Sequence, residues 1–372
     1  MLLRGQRPSK SFNSLKPKLI EVKTYKKLLQ FINLYFRFMD SITQIVLGAA
    51  VAEKISGKTL GNKAILYGAI FGTLPDLDVL SGFFVNDVDA VGFHRGISHS
   101  IVLFLIVSPI FGWLIYKLEK QKSITFSNAT SMVFWVLLTH SLLDIFTSWG
   151  VQLFWPSNIR VAIKSIAVVD FMYTLPLLIC LIMAVRLPKL SKNRRKWNTW
   201  GLVISSSYLI LGIALKTFAY AKFVKATESQ QLQYSQISVK PGILSLLLWS
   251  AHGQNEQEYF IGTYSFFDTQ AISFEKYPKS NELNAKFQHQ EVVQKLIDIS
   301  EGWYIISESN HKFYFNDLRF GLISTLDNQQ QFAFSYELVQ QKDGKFTAKE
   351  VKKSRKQGMA TLKTLLSRIA GN

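Results

Sequence analysis

The chain has 372 residues, 48% of them hydrophobic and 13% aromatic, with 43 Lys+Arg against 25 Asp+Glu. Its mean hydropathy of +0.13 is high for so charged a sequence, and the apolar residues crowd between about 42 and 220 while 221–372 reads as polar globular sequence, which excludes an ordinary cytosolic enzyme and predicts a membrane part followed by a soluble one. The single cysteine, Cys180, lies in an apolar run, so there is no intramolecular disulfide framework and no Cys-based zinc site, and any metal must sit on His and carboxylate.

Residues 1–38 hold nine Lys/Arg and one Glu, lack a signal-peptide apolar core, and are followed by Met39-Asp40-Ser41. Two readings stand side by side: Met39 is the true start, or 1–38 is a basic cytoplasmic tail. The apolar stretch Ile42 to Leu74 is interrupted by Glu53-Lys54 and by the Gly57–Lys63 region, which predicts a helical hairpin packed against the bundle or dipping into it. Four later segments, 100–117, 130–154, 166–186 and 199–220, have the length and apolarity to cross a bilayer about 30 Å thick. Between the last two, Arg186 to Lys196 carries six basic residues and no acid, which marks that loop as cytoplasmic. Counting spans from it puts the loop with Lys117, Lys120 and Lys122 inside, and places the residues before Ile101, those before Phe171 and the C-terminal part on the outer side. The net charge of +18 is accounted for by such topology signals, and no nucleic-acid partner is expected.

Past a Gln-rich linker near 228–236, aromatic and β-branched runs at Glu258–Phe267, Gly302–Ser307, Lys312–Leu322 and Gln331–Val339 predict strands, and Gln290–Ser300 predicts an amphipathic helix. The expected fold is a mainly α membrane helical bundle, 39–220, with about four spanning helices plus the hairpin, followed by a soluble α+β domain, 221–372. No internal repeat, P-loop, GxSxG or dinucleotide fingerprint is present.

The chemistry-bearing residues of the membrane part fall into short polar motifs. Asp76 and Asp78 follow Pro75, which ends the preceding helix and turns the acids into a loop at the membrane boundary. His94-Arg95-Gly96-Ile97-Ser98-His99-Ser100 then places two imidazoles and a guanidinium just before a span. His140 and Asp144 share one helical face at i, i+4, and ionisable groups within a span face a bundle interior or an aqueous cavity. Taken singly, each group has a bland alternative: solvated loop acids, interface anchors, an interhelical hydrogen bond. Jointly, Asp76, Asp78, His94, His99, His140 and Asp144 offer six oxygen and imidazole donors, enough for one or two divalent cations. Asp170, at the start of the next span, can approach the same place. Glu53 is either a further ligand or the snorkelling end of a short helix; His252, His289 and His311 read as ordinary surface or core histidines, and Arg319 as a strand-end charge.

These motifs, Met39–Gln44 with Leu47–Ala50, Gly72–Asp78, His94–Ser100, Thr139–Asp144, Phe154-Trp155-Pro156, and Asp170 with Tyr173-Thr174, resemble those of the membrane-bound metal-dependent hydrolase family that includes the YdjM protein, over about residues 39–185. The resemblance implies a divalent-metal hydrolase in a bacterial cytoplasmic (inner) membrane; the expected ion is Zn, with Mn as the alternative. Members commonly begin near the Met-Asp-Ser stretch, and many carry His where this chain has Gln44. The order of acid, His and His-x-x-x-Asp is also distantly similar to zinc-dependent phospholipase C and P1-type nucleases.

The expected mechanism is hydrolysis by metal-activated water at the outer-leaflet side, with Arg95 holding an anionic substrate oxygen and one acid not occupied by the metal, Asp76 being the candidate named among them, as general base. The expected partners are the lipid bilayer and an anionic small-molecule or lipid substrate, a phosphoester at headgroup depth being favoured. The rival is a non-catalytic membrane protein that binds a structural or transported cation.

Overall fold

Glycines set how closely the first two helices pack. The computed structural model describes residues 42–168, 170–242, 246–324, 330–342, 344–351 and 366–371, and 41–372 forms one unit by backbone contacts. Helix α1 (42–60) turns at Gly61, whose φ of +61° suits glycine, into α2 (Asn62–Thr73). The pair is tight because Gly48, Gly68 and Gly72 face the contact: a Cβ on Gly68 would lie 2.2 Å from the Gly48 carbonyl oxygen. Pro75 then starts a 3-10 segment, Pro75–Phe83, bent 45° from α2. Short α3 (Asp87–Phe93) and a single 3-10 turn, Ile97–His99, lead into the main bundle.

The bundle continues with α4 (Ile101–Leu118), α5 (Phe126–Phe146), α6 (Phe171–Val185) and α7 (Lys192–Ser229). Hydroxyl and carboxylate caps fix their starts: Ser100, Thr125, Asp170 and Ser191 each accept a backbone N–H of the first turn. Three of these helices, α4, α5 and α7, are long and apolar enough to cross a membrane, the bent pair of α2 and Pro75–Phe83 adds a fourth candidate, and α6 is a shorter apolar helix.

The two ends of the bundle differ in charge. At one end Lys63 pairs with Glu119 at 2.6 Å, Lys189 donates to the Thr59 carbonyl, and Arg194 donates to the Leu187 carbonyl. The Lys117–Lys122 turn and the Arg186–Lys196 loop belong to this basic end. The opposite end carries Asp76, Asp78, His94, His99, Asp144 and the start of α6, together with the β-rich part that follows α7.

That part contains two four-stranded antiparallel meanders. The first is β1 (Gln236–Pro241), β2 (Leu248–Gln254), β3 (Glu258–Ser265) and β4 (Phe274–Pro278); the second is β5 (Tyr304–Ser309), β6 (Lys312–Ser324), β7 (Gln330–Gln340) and β8 (Phe346–Glu350). Helices α8 (Asn281–Phe287) and α9 (Glu291–Ile299) lie between them in sequence. The core is continuous with the bundle: Leu47, Leu143, Tyr173 and Phe223 share one apolar cluster with Val239 and Trp249. Val88 of α3 is buried with Phe287, Val293 and Phe315 of the second half.

The expected class, a helical membrane-type part followed by an α+β part, is what the chain adopts. One expected span is shortened: 130–154 is helical only to Phe146, after which the backbone turns through Gly150 (φ +67°) into an extended loop with a Val151–Val161 bridge. Apolarity persists through this loop because Ile145, Val151 and Leu153 form their own buried cluster with Ile101 and Val161. Helix α7 continues past the apolar stretch to Ser229 because its last turns pack Ala219 and Phe223 against the first sheet. The basic tail 1–38 and the Met39 start lie outside the described residues.

Candidate metal centre

Four segments converge at the acidic end of the bundle. The 3-10 turn after Pro75 carries Asp76. The turn Ile97–His99, stopped by the Ser100 cap of α4, carries His99. The last two turns of α5 carry His140 and Asp144 on one face. The start of α1 brings Gln44 against that face.

The ligand atoms of Asp76, His99, His140 and Asp144 all lie within 4.8 Å of one another. His99 Nε2 is 3.5 Å from Asp76 Oδ1, 3.3 Å from Asp144 Oδ2 and 3.2 Å from His140 Nε2. His140 Nε2 is 3.5 Å from Asp76 Oδ1 and 3.6 Å from Asp144 Oδ2. Bonds of roughly 2.0–2.1 Å to a tetrahedral ion separate neighbouring donors by about 3.3–3.4 Å, so the spacing is that of a coordination shell. His99, His140 and Asp144 are at most 1% exposed, while the Asp76 side chain keeps 16%.

The hydrogen bonds around these groups decide which way their lone pairs point. His140 donates from Nδ1 to the Gly72 carbonyl at 2.7 Å, which leaves Nε2 as a free acceptor. Ser98 Oγ donates to Asp78 Oδ2 at 2.5 Å, so its lone pair accepts from His99 Nδ1 at 2.9 Å, and His99 Nε2 is also a free acceptor. Two imidazole lone pairs then face each other at 3.2 Å. Asp76 Oδ1 and Asp144 Oδ2, both buried, have no hydrogen-bond partner among the described residues. With both imidazoles neutral, such an arrangement repels itself unless a cation sits among the four atoms, because buried polar groups are costly to leave unsatisfied. The donor set fits a divalent metal, and backbone or hydroxyl partners to the imidazoles are the usual outer support of such a site.

Gln44 donates from Nε2 to Asp144 Oδ1 at 2.8 Å and holds the second carboxylate oxygen in place. Gln44 is therefore engaged with a carboxylate of the candidate centre. Arg95 is 1% exposed; its Nε lies 3.4 Å from Asp144 Oδ2 and its NH1 donates to Thr147 Oγ1 at 3.0 Å. Its backbone is left-handed, φ +60°, a strained state for Arg that is pinned by Asp78 accepting from its N–H and by Gln152 donating to its carbonyl.

The six residues expected at one centre thus divide into four and two. Asp78 and His94 pair with each other, Nδ1 to Oδ1 at 2.7 Å, and Asp78 further accepts from Arg95 N and Ser98 Oγ. Asp170 stands apart from the four, capping α6 and accepting from the Tyr208 hydroxyl at 2.9 Å. Glu53 lies at the basic end in a buried bidentate pair with Arg194, at 2.6 and 2.7 Å. Among the soluble-part histidines, His252 is buried against the Tyr259 hydroxyl, whereas His289 and His311 are exposed. Arg319 is buried at 7% exposure, held by Asp317 and packed over Trp149. Sequence reasoning missed Gln44 as a partner of Asp144; the i, i+4 register of α5 was visible, but which helix covers it was not.

No curated protein and no solved structure matches the chain. The model of one family, described as YdjM inner membrane protein, matches residues 39–219, a stretch that contains α1 to most of α7 and every ligand of the centre. The helical part of this chain belongs to the YdjM inner membrane protein family.

Proposed function

We propose that the protein is a membrane-bound, divalent-metal-dependent hydrolase whose site faces the outer side of a bacterial cytoplasmic membrane and acts on a phosphoester or lipid-linked substrate. The observation that carries this reading is the convergence of two imidazole nitrogens with two buried carboxylate oxygens that, among the described residues, accept no hydrogen bond. When bound there, a zinc or manganese ion supplies an acidified water and a Lewis acid for the scissile bond. Asp76, the only one of the four ligands with appreciable exposure, stands where water and substrate arrive, and it is the general base of the proposal. Arg95, within a salt bridge of Asp144, keeps that carboxylate oriented, and its fixed charge also favours an anionic group next to the centre.

The outer orientation rests on the basic residues at the opposite end of the bundle. A lipid-linked substrate is favoured by the apolar rim beside Asp76 and Asp78: Leu77, Leu80, Phe83, Phe84 and Phe93 are all at least 47% exposed, with Phe83 and Phe84 above 80%. Side chains of this kind at a membrane boundary belong among acyl chains and headgroups.

One observation favours the rival, a structural cation: three of the four ligands are fully buried and four protein donors can close a tetrahedral shell. The test is elemental analysis of detergent-purified protein followed by turnover assays against phosphoester headgroup substrates. Stoichiometric metal with turnover that is lost in Asp76→Asn supports the hydrolase; stoichiometric metal with no turnover on any phosphoester leaves the structural cation.

A further inference from the structure

The basic end of the bundle carries a groove that the metal centre does not use. Gly61, Asn62 and Lys63 at the turn from α1 into α2, Leu187 and Lys189 of the loop after α6, and Arg194 of the first turn of α7 line an open hollow of ≈ 380 Å³. Its floor is fixed by Arg194, which is 2% exposed: Nε and NH2 donate to Glu53, and NH1 donates to Asn62 Oδ1 at 2.8 Å and to the Leu187 carbonyl at 3.0 Å. The stem of Lys189 lies against the Gly61 turn, where a Cβ on the glycine would stand 3.5 Å from the Lys189 Cβ.

Charge around the groove is one-sided. In the segments 53–63, 117–123 and 186–198 the acids are Glu53 and Glu119, and both are buried, the first against Arg194 and the second accepting from Lys63 at 2.6 Å and Tyr67 at 2.9 Å. Lys63 nevertheless keeps 51% of its side-chain surface, and a pair so exposed is easily shared with another anion. Lys189 makes a long bond, 3.4 Å, to the Thr59 carbonyl, and among the described residues no carboxylate pairs with it. The groove also runs onto apolar surface. Lys63, Leu66 and Ile70 recur at i, i+3 and i+7 and so share one face of α2, where Leu66 and Ile70 are 57% and 51% exposed. A basic mouth continued by an apolar stripe matches a phospholipid, whereas a free phosphate would leave the stripe unused; basic hollows between membrane helices on the positive side suit acidic headgroups. We infer that this groove takes the glycerophosphate headgroup of an anionic phospholipid, with Lys63 and Lys189 reaching its phosphate and an acyl chain along Leu66 and Ile70. The lipid bridges the α1–α2 turn to the α6–α7 loop from outside, as the Glu53–Arg194 pair ties α1 to α7 from within. The site lies at the opposite end of the bundle from the metal centre and does not depend on what that centre does.

The test uses the full-length protein in dodecyl maltoside, washed free of co-purified lipid and held in phosphate-free buffer. Dioleoyl phosphatidylglycerol and, separately, dioleoyl phosphatidylcholine are titrated and the bound lipid is counted by native mass spectrometry, with inorganic phosphate added as a competitor. Saturable binding of phosphatidylglycerol, at least about tenfold tighter than phosphatidylcholine, is the expected result for the parent. Lys189→Gln is expected to weaken it about fivefold, and Lys63→Gln combined with Lys189→Gln at least about tenfold. Lys192→Gln with Lys196→Gln removes the same charge from exposed positions that do not line the groove, and affinity is expected to stay within about twofold of the parent. If the double groove variant does not elute as a folded species, Lys189→Gln alone carries the test. Equal affinity for the two lipids, unchanged affinity in Lys189→Gln, equal weakening by the Lys192/Lys196 pair, or displacement of the lipid by inorganic phosphate at matching concentration overturns the inference.

Discussion

Asp144 illustrates how much a single side chain is asked to do. One carboxylate oxygen is fixed by Gln44, and the other faces His99, His140 and Arg95 with no hydrogen-bond partner among the described residues. Asp144→Asn replaces one of these oxygens by an amide and removes the charge that offsets a divalent ion. The expected outcome is metal content falling from about one equivalent to near zero, read by elemental analysis of protein that still elutes as a folded species. Gln44 acts one step further out. Gln44→Leu leaves all four ligands present but frees Asp144 to rotate, and a loss of about 10–100-fold in metal affinity is expected, measured by competition with a chelator. The sequence made the ligand chemistry legible because two Asp, two His and a His-x-x-x-Asp pair rarely gather in apolar surroundings without a reason. It did not separate the four inner residues from Asp78 and His94, since spacing along the chain does not say which imidazole nitrogen is already occupied.

Helix packing transmits to the centre through backbone atoms. The Gly72 carbonyl sets the tautomer of His140, and Gly72 itself is pressed against the Gln44 carbonyl, where a Cβ would come within 2.5 Å. Gly68→Leu drives α1 from α2 and shifts both Gln44 and Gly72. Loss of metal together with a fall in Tm is expected, whereas Leu66→Ala on the exposed side of α2 leaves both unchanged. At the basic end the Glu53–Arg194 pair ties α1 to α7 with both partners buried. Glu53→Gln strands the guanidinium and is expected to cost about 3–5 kcal/mol, seen as a lower unfolding midpoint with metal content per folded protein unchanged. Strands β3, β5, β6 and β7 and helix α9 were legible because aromatic and β-branched runs with sharp turns mark them. Strands β1 and β2 were not: Lys240, His252 and Gln254 break the apolar pattern, and they are buried for a reason local sequence does not reveal, the ring contacts and hydrogen bonds formed with other segments.

At the scale of the whole chain, the β-rich part is fastened to the helical part in two places. Near α7, Phe223 packs with Tyr264 and Phe274, and Trp249 joins the cluster that contains Leu47 and Tyr173. Beside the candidate centre's neighbour His94, Trp149 lies between that imidazole on one side and Phe320, Phe334 and Arg319 on the other. Arg319 and Phe320 reach it because β6 bulges: the four residues between Asp317 and Leu322 lie opposite the single residue between Phe332 and Phe334 on β7, and Gly321 takes φ +71°. A protease site placed in the turn 230–235, between α7 and β1, separates the two parts covalently without touching either contact. The cut halves are expected to co-elute on size exclusion in detergent, since each aromatic contact adds about 0.5–1.5 kcal/mol to the apolar burial around it. Trp149→Ala with Phe320→Ala is expected to leave metal content intact while making the cut fragment 236–372 dissociate at lower denaturant. Separation of the unmutated halves in plain detergent buffer would show that the covalent link alone, and neither contact, keeps the β-rich part on the helical part.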